Sequence, residues 1–497
     1  MTELLQIHPS DTVAVAVRGI RSGDPVPIRG HTICAPEDVP AGHKICIVPT
    51  AAGGTVVKYG FPIGTATRDI RAGQWVHTHN LKSALTGVRE YSYERPGAFP
   101  RARPSGAPQT FPGFPRGTGR AGIRNEVWIL PTVGCVNSVA RAIEARARGM
   151  EEGSVDGIHA FGHPYGCSQL GEDLDHTRRI LCGLIRHPNA GGVLVLGLGC
   201  ETDGVGELKK ALGPFDPDRV KFLVCQDCPD EIEEGLSLIG RLCRFAGRFR
   251  REPVPMSELV VGLKCGGSDG FSGITANRLL GAFTDRLVAE GGSAVLSEVP
   301  EMFGAETILL GRCVSEEAFG KTAALINHFK EYFLKNGGGI SDNPSPGNKE
   351  GGITTLEEKS LGCVQKGGHA PVVDAVRYGR PVEKRGLTLL QTPGNDLVSA
   401  SAEAAAGAQL ILFTTGRGTP FGCPVPTLKI SSNTKLSRAK KNWIDLNAGD
   451  LIEGASVEEK TESLYGLVRS VASGEIRTKS EIHGMRDLAI FKNGITL

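Results

Sequence analysis

The run Val127-Trp128-Ile129-Leu130-Pro131-Thr132-Val133, closed by Gly134-Cys135-Val136-Asn137 and followed by a helix-like stretch from Val136 to Arg148, decides the fold of this chain. An almost unbroken apolar run offers no polar face to water, so it reads as a strand covered on both sides. A glycine turn into a helical period then makes it the first half of a βαβ unit. The pattern recurs at Gly157-Ile158-His159-Ala160-Phe161 before Leu174 to Arg186, and again at Gly192-Val193-Leu194-Val195-Leu196-Gly197. Such alternation argues for a mainly parallel sheet.

Working outward, a second α/β set starts near Glu258, with strands expected at Leu259 to Leu263, Ala294 to Glu298, Leu387 to Leu390 and Leu410 to Phe413, and a helical stretch from Ser315 to Phe333. On the amino-terminal side, Val13 to Val17, Lys44 to Val48, Val56 to Tyr59 and Trp75 to His79 read as short β segments separated by breakers such as Pro40-Ala41-Gly42. The expected fold class is α/β. An all-β domain spans 1–93, a Pro/Gly-rich linker 94–124, and two Rossmann-like α/β lobes with mainly parallel sheets span 125–255 and 256–497. The linker reading rests on Pro96, Pro100, Pro104, Pro108, Pro112 and Pro115, a composition that resists regular structure. The last boundary is marked by Pro253 and Pro255.

With 497 residues the chain exceeds what one hydrophobic core supports, roughly 250–300 residues, which agrees with several domains. Lys+Arg number 56 against 54 Asp+Glu, a net charge of +2, which gives no basic surplus for nucleic acid. The expected partner is a small molecule. Neither a membrane-length apolar run nor a secretory leader pattern is present, and 13 scattered Cys do not form a secreted disulfide framework, so a reducing cytoplasm is expected. Enzymes of this size and class are commonly symmetric homo-oligomers, and one is expected here.

In parallel sheets ligands gather beyond the carboxyl ends of strands. The expected strand exits carry Gly134-Cys135, Gly162-His163-Pro164-Tyr165-Gly166-Cys167-Ser168-Gln169, Gly199-Cys200-Glu201 and Cys265-Gly266-Gly267-Ser268-Asp269-Gly270. Convergence of Cys135, Cys167, Cys200 and Cys265 with His163 would make a metal or cluster site; the alternative is four thiols packed in a glycine-rich crevice. His77 and His79 stand two apart in an extended segment, which would put both imidazoles on one face as metal ligands or proton carriers. They also read as a plain surface pair. Cys225 and Cys228 lack a second pair at zinc-ribbon spacing and read as structural. Two further polar loops, Asn343 to Gly352 and Thr414 to Pro420, pair backbone N–H groups with Lys349 or Arg417, which suits a carboxylate or phosphate. No nucleotide-binding glycine fingerprint and no G-x-S-x-G elbow occur, which counts against an NAD-dependent oxidoreductase and a serine hydrolase.

Several long stretches carry a resemblance. Ile129 to Asn137, Tyr165 to Gly171, Cys265 to Gly270 with Ser272 to Asn277, Glu298 to Glu306, Asn343 to Lys349, Gly416 to Pro420 and Asp487 to Lys492 are similar to the altronate and galactarate dehydratase family. The amino-terminal domain, with Gly42-His43-Lys44, Tyr59-Gly60 and Ile63-Gly64, resembles the SAF domain, a β-clip module. Val76 to Asn80 and Pro300-Glu301-Met302-Phe303 are closer to the altronate branch than to the galactarate branch. The resemblance implies conversion of D-altronate to 2-dehydro-3-deoxy-D-gluconate and water in hexuronate catabolism, activated by Fe(II) or Mn(II). An iron-sulfur cluster on three or four Cys is the alternative cofactor.

That reaction needs a base for the C2 proton, an acid for the departing C3 hydroxyl, and positive charge beside a dianionic aci-carboxylate. The expected proton-transfer group is His163, with Lys349 beside it in the catalytic set. His77, His79, Cys135, Cys167, Cys200 and Cys265 are the expected metal ligands. Asn348, Arg417, Thr419, Ser268 and Asp269 are the expected substrate contacts. Rival readings are a galactarate dehydratase, a sulfonated hydroxy-acid lyase of the same architecture, and a non-catalytic sugar-acid binding protein.

Overall fold

The computed structural model of the chain describes residues 4–28, 30–94, 97, 109–117 and 119–494. The first lobe is a four-stranded parallel sheet in the order Gly157–Ala160, Glu126–Pro131, Ala190–Gly197, Val220–Val224. Every residue of Glu126–Pro131 and of Ala190–Gly197 is buried, as unbroken apolar strands require when helices cover both faces. The helices Gly171–Arg186 and Glu231–Ala246 supply much of that cover, and Trp128 packs edge-on against Phe161.

The second lobe carries a seven-stranded parallel sheet, ordered Val372–Val376, Gly386–Leu390, Ser293–Leu296, Val260–Cys265, Leu410–Thr415, Thr427–Ser431, Leu446–Asn447. Val260–Cys265 is central: the chain fills one side of it first and then crosses to the other. The strand order therefore reverses there, and the crevice beyond Cys265 and Thr415 is the ligand position that such sheets create.

The amino-terminal domain is built of small antiparallel sheets, one of four strands (Leu4–Leu5, Val13–Ala16, Lys44–Cys46, Trp75–Val76) and one of three (Thr55–Lys58, Phe61–Ala66, Leu81–Lys82). It is docked on the second lobe. Val56, Ile63 and Val76 share one buried cluster with Phe303, Leu356 and Leu361, and the Thr355 hydroxyl donates to the Ile63 carbonyl at 2.5 Å. The backbones approach so closely at Gly270 that a Cβ there would lie 1.9 Å from the Gly42 carbonyl oxygen.

Two expectations change. The Pro-rich stretch from Pro96 to Pro108, apart from residue 97, lies outside the described residues, but Thr110–Gly113 is a strand paired antiparallel with Glu252–Pro255, aligning Pro112 with Pro253. Proline is tolerated because this is a two-stranded ribbon, in which each strand has a free edge for residues that cannot donate. The strand expected over Trp75 to His79 ends at Val76; a turn follows, in which the Asn80 and Leu81 N–H groups both donate to the His77 carbonyl.

Candidate functional site

Three cysteine-bearing turns meet at the carboxyl edge of the first sheet. The Gly134 N–H donates to the Tyr165 carbonyl at 2.8 Å, and the Ser168 N–H to the Thr202 hydroxyl at 3.2 Å. Gly166, at φ 101°, allows the contact: a Cβ there would sit 1.9 Å from the Thr132 carbonyl oxygen. Cys135, Cys167 and Cys200 are all exposed on these turns. Glu201 ties strand exits together, accepting from the Thr132 hydroxyl at 2.7 Å and the Gly199 N–H at 2.6 Å. Gln226 reaches the Cys200 sulfur at 3.7 Å.

His163 is buried under this edge, and the structure gives it a different role from the expected one. Nε2 lies 2.8 Å from the Pro131 carbonyl and Nδ1 accepts from the Tyr165 N–H at 3.2 Å. Burial lowers its pKa to about 4, so the ring is neutral and both nitrogens are occupied. It locks the loop and has no nitrogen left for a substrate proton.

Beyond the second sheet, Cys265 belongs to a separate centre. Its sulfur lies 3.3 Å from that of Cys363, and Glu301 Oε2 accepts from Cys363 at 2.9 Å. Three buried lysines serve the same cluster. Lys366 donates to Cys265 Sγ at 3.1 Å and to Glu298 at 2.6 Å, Lys359 pairs with Glu301 at 2.7 Å, and Lys264 bonds Glu298 and, at 2.8 Å, Asp396. Burial alone would raise the Glu301 carboxyl, but Lys359 first, then Lys264 and Lys366, hold it at about 2.

Above this cluster sit the expected substrate contacts. Asp269 is half-buried, with Oδ1 accepting from the Ser272 and Ser432 hydroxyls at 2.8 Å each and Oδ2 from Asn433 at 2.9 Å. Burial nevertheless raises its pKa above the ordinary aspartate value. Asn348 is buried and spent: its oxygen faces Ser345 and Lys359, and its Nδ2 donates to the Ser268 carbonyl at 2.9 Å. It caps the short helix Pro346–Glu350, so the expected substrate contact is replaced by a loop-fixing one. Ser268 is buried and contributes that carbonyl. Arg417 donates to the Gly347 carbonyl at 3.0 Å and pairs with Glu350 at 2.8 Å, Thr419 is half-buried on the same loop, and Lys349 is half-exposed with no side-chain partner among the described residues.

The amino-terminal domain closes one flank. Trp75 donates from Nε1 to His43 Nδ1 at 3.1 Å and stacks on His77, whose Nδ1 meets the Thr354 hydroxyl at 2.9 Å. Lys44 donates to that hydroxyl and to the Gly352 carbonyl, both at 2.8 Å. His77 is buried and its pKa falls to about 3, mainly through burial and then Lys44; His79 is exposed on the turn. The expected metal-binding pair is thus not formed, because the strand that would align the two rings stops at Val76.

The donor sets test the implied metals. Among the described residues, Cys265, Glu301 and Cys363 offer three donor atoms within 4.8 Å of one another. Each already faces an ammonium group or its partner, and a divalent ion would have to displace Lys359 and Lys366, so that cluster fits a cation poorly. The expected ring of Cys135, Cys167, Cys200 and Cys265 is split between two sheets. The three thiols of the first lobe do fit iron in donor type: they are soft, exposed and on tied loops. They are not gathered as tightly as a single ion demands, whereas a cluster with its own sulfides spans wider spacings.

Glu301 lies inside a stretch quoted for the resemblance, and Lys264 interrupts an otherwise apolar strand, which is a readable anomaly. Cys363, Lys359 and Lys366 sit on an almost wholly buried segment whose sequence shows no periodicity to single them out.

Comparison with known proteins reaches the whole chain. Residues 256–496 match the model described as D-galactarate/Altronate dehydratase, C-terminal, and residues 113–247 match D-galactarate dehydratase/Altronate hydrolase, second domain. Residues 2–84 match the Altronate/galactarate dehydratase SAF domain. The chain belongs to the altronate/galactarate dehydratase family. Among its relatives in this family, altronate dehydratase of Bacillus subtilis is 50% identical over 100% of both chains. Altronate dehydratase of Escherichia coli is 47% identical over 100% of both. Galactarate dehydratase (L-threo-forming) of Escherichia coli is 32% identical over 98% of this chain and 96% of its own. Among the described residues of this family member, no helix is long and apolar enough to cross a membrane.

Proposed function

We propose that the chain is a hydro-lyase that converts D-altronate to 2-dehydro-3-deoxy-D-gluconate and water. The observation that carries this reading is the full-length identity of 50% and 47% to two altronate dehydratases, against 32% to a galactarate dehydratase. The substrate is a small polyhydroxy acid, and the setting is the cytoplasm, in a homo-oligomer.

The reaction removes the proton at C2 and the hydroxyl at C3, leaving an enol that tautomerises to the 2-keto acid. The crevice beyond Cys265 and Thr415 supplies what a sugar acid needs. Lys349, without a side-chain partner among the described residues, is the cation for the carboxylate, whose charge grows in the transition state. Arg417 and the Thr419 hydroxyl face the polyol. Asp269 is the residue placed to move a proton: burial raises its pKa above the ordinary aspartate value, and its hydroxyl and amide donors fix its orientation. The neutral His43 and His77, with Trp75, form a rigid flank that excludes water.

Iron is the cofactor of this proposal, held by Cys135, Cys167 and Cys200 as an iron-sulfur cluster; the donor softness counts against Mn(II). When bound there, iron would supply Lewis acidity. Anaerobically purified protein tested on altronate, galactarate and sulfolactate decides the substrate: the highest kcat/KM for keto-acid formation is expected with altronate. A higher value with galactarate, or binding of altronate with no turnover by iron-replete protein, overturns the reading.

A further inference from the structure

We infer that a cavity of about 400 Å³ between the two lobes is a binding site for a small polyanion, a phosphorylated or polycarboxylate metabolite. Its size falls within the range of ligand pockets, roughly 300–1,000 Å³. Five arginines are among its lining residues, Arg120, Arg178, Arg179, Arg186 and Arg380, against one acidic residue, Asp175.

The pairing pattern separates this from an ordinary charged surface. Arg178 is matched by Asp203 at 2.7 Å and Arg179 by Asp175 at 3.7 Å. The other three have no carboxylate within 4.0 Å among the described residues. Among the described residues, Arg186 donates only to the Leu212 carbonyl, and Arg120 makes two long bonds, to the Ser257 carbonyl at 3.5 Å and the Ser293 hydroxyl at 3.3 Å. The exposed Arg380 has no side-chain partner among the described residues. Burial, followed by the nearby Arg385, lowers the Arg120 pKa, so its charge is held at a cost that an anion would relieve. Guanidinium groups drawn from separate segments around one cavity repel one another unless negative charge lies between them. Their planar forks match carboxylate and phosphate oxygens.

The site spans both lobes. Arg178, Arg179 and Arg186 come from the first-lobe helix Gly171–Arg186, and Arg380 comes from the turn between the second-lobe strands Val372–Val376 and Gly386–Leu390. The same helix begins directly after the Cys167 loop. A bound polyanion therefore crosslinks the lobes along the element that supports the thiol turns, at a place distinct from the Lys349 crevice.

Calorimetric titration of the full-length protein with pyrophosphate and with citrate, against potassium chloride at matched ionic strength, tests this. Saturable binding of at least one probe is expected, with one site per chain and a raised thermal midpoint. The tighter probe tells phosphate from carboxylate chemistry. The Arg186→Ala/Arg380→Ala variant should weaken binding at least tenfold, the Arg186→Lys/Arg380→Lys variant should weaken it less, and Lys349→Ala should leave it unchanged. Absence of saturable binding, undiminished affinity in the double alanine variant, a midpoint shift equally produced by potassium chloride, or loss of binding in Lys349→Ala would each overturn the inference. A smaller assembly for the double alanine variant on gel filtration without ligand would do so too, because the arginines would then face a second copy of the chain.

Discussion

Lys44 Nζ lies 2.8 Å from Glu358 Oε2 with both side chains buried, which fastens the amino-terminal domain to the second lobe. Lys58, from the same domain, reaches the other carboxylate oxygen, Oε1, at 2.8 Å. Burial would raise the Glu358 carboxyl, but the two ammonium groups, Lys44 first, hold it at about 2. Glu358→Leu strands two buried cations at this junction. It should cost about 3–5 kcal/mol of stability, read as a drop in the urea midpoint. A loss below about 1 kcal/mol would mean that the pair does not hold the domain.

His163→Ala is expected to lower stability by about 1–3 kcal/mol, since it deletes two hydrogen bonds to backbone groups and leaves a void. Turnover per correctly folded, iron-loaded molecule should stay within a few fold of the parent. A loss of 10³-fold or more with unchanged thermal midpoint would restore His163 to proton transfer.

Lys349→Ala should reduce kcat/KM for altronate at least 100-fold, about 2.7 kcal/mol of transition-state stabilisation. Asp269→Asn keeps the hydrogen-bonding shell largely intact but removes the titrating group, so kcat should fall by a comparable factor with KM little changed. Steady-state keto-acid assays that find either variant near parental activity would move the substrate out of this crevice.

Serine at Cys135, Cys167 or Cys200 should each remove iron and acid-labile sulfide together with activity, whereas Cys363→Ser should retain the metal. Elemental analysis of anaerobically purified variants gives the answer. Iron retained by all three first-lobe variants would place it elsewhere.

Stability should fall with acid between about pH 6.5 and pH 4. Burial lowers both His163 and His187 to about 4, so the folded state resists a proton that the unfolded chain takes up near 6.5. Stability from these groups is complete above 6.5 and disappears as pH drops through 4, on the order of 3 kcal/mol for each. Denaturant midpoints across that window check it, and the slope should shrink in His163→Ala.

The strand–turn–helix rhythm, the parallel sheets and the cysteines at their exits are legible along the chain, because each is local: a fully buried strand shows its burial in consecutive apolar residues, and a turn shows its glycine. The first three cysteine turns were therefore readable at Gly134-Cys135, Gly166-Cys167 and Gly199-Cys200. Family resemblance added the reaction. What each group does was settled by folding. It put Cys265 with Cys363, 98 residues away, and with three lysines instead of with the other thiols. It ended the Trp75–Val76 strand before its histidines could align, consumed both nitrogens of His163 and the amide of Asn348, and paired Thr110–Gly113 with a strand some 140 positions further on. The reason is physical: an imidazole, an amide or a thiol has the same intrinsic chemistry wherever it stands in the chain. Its protonation and availability are set by burial and by partners that the sequence brings near only through folding.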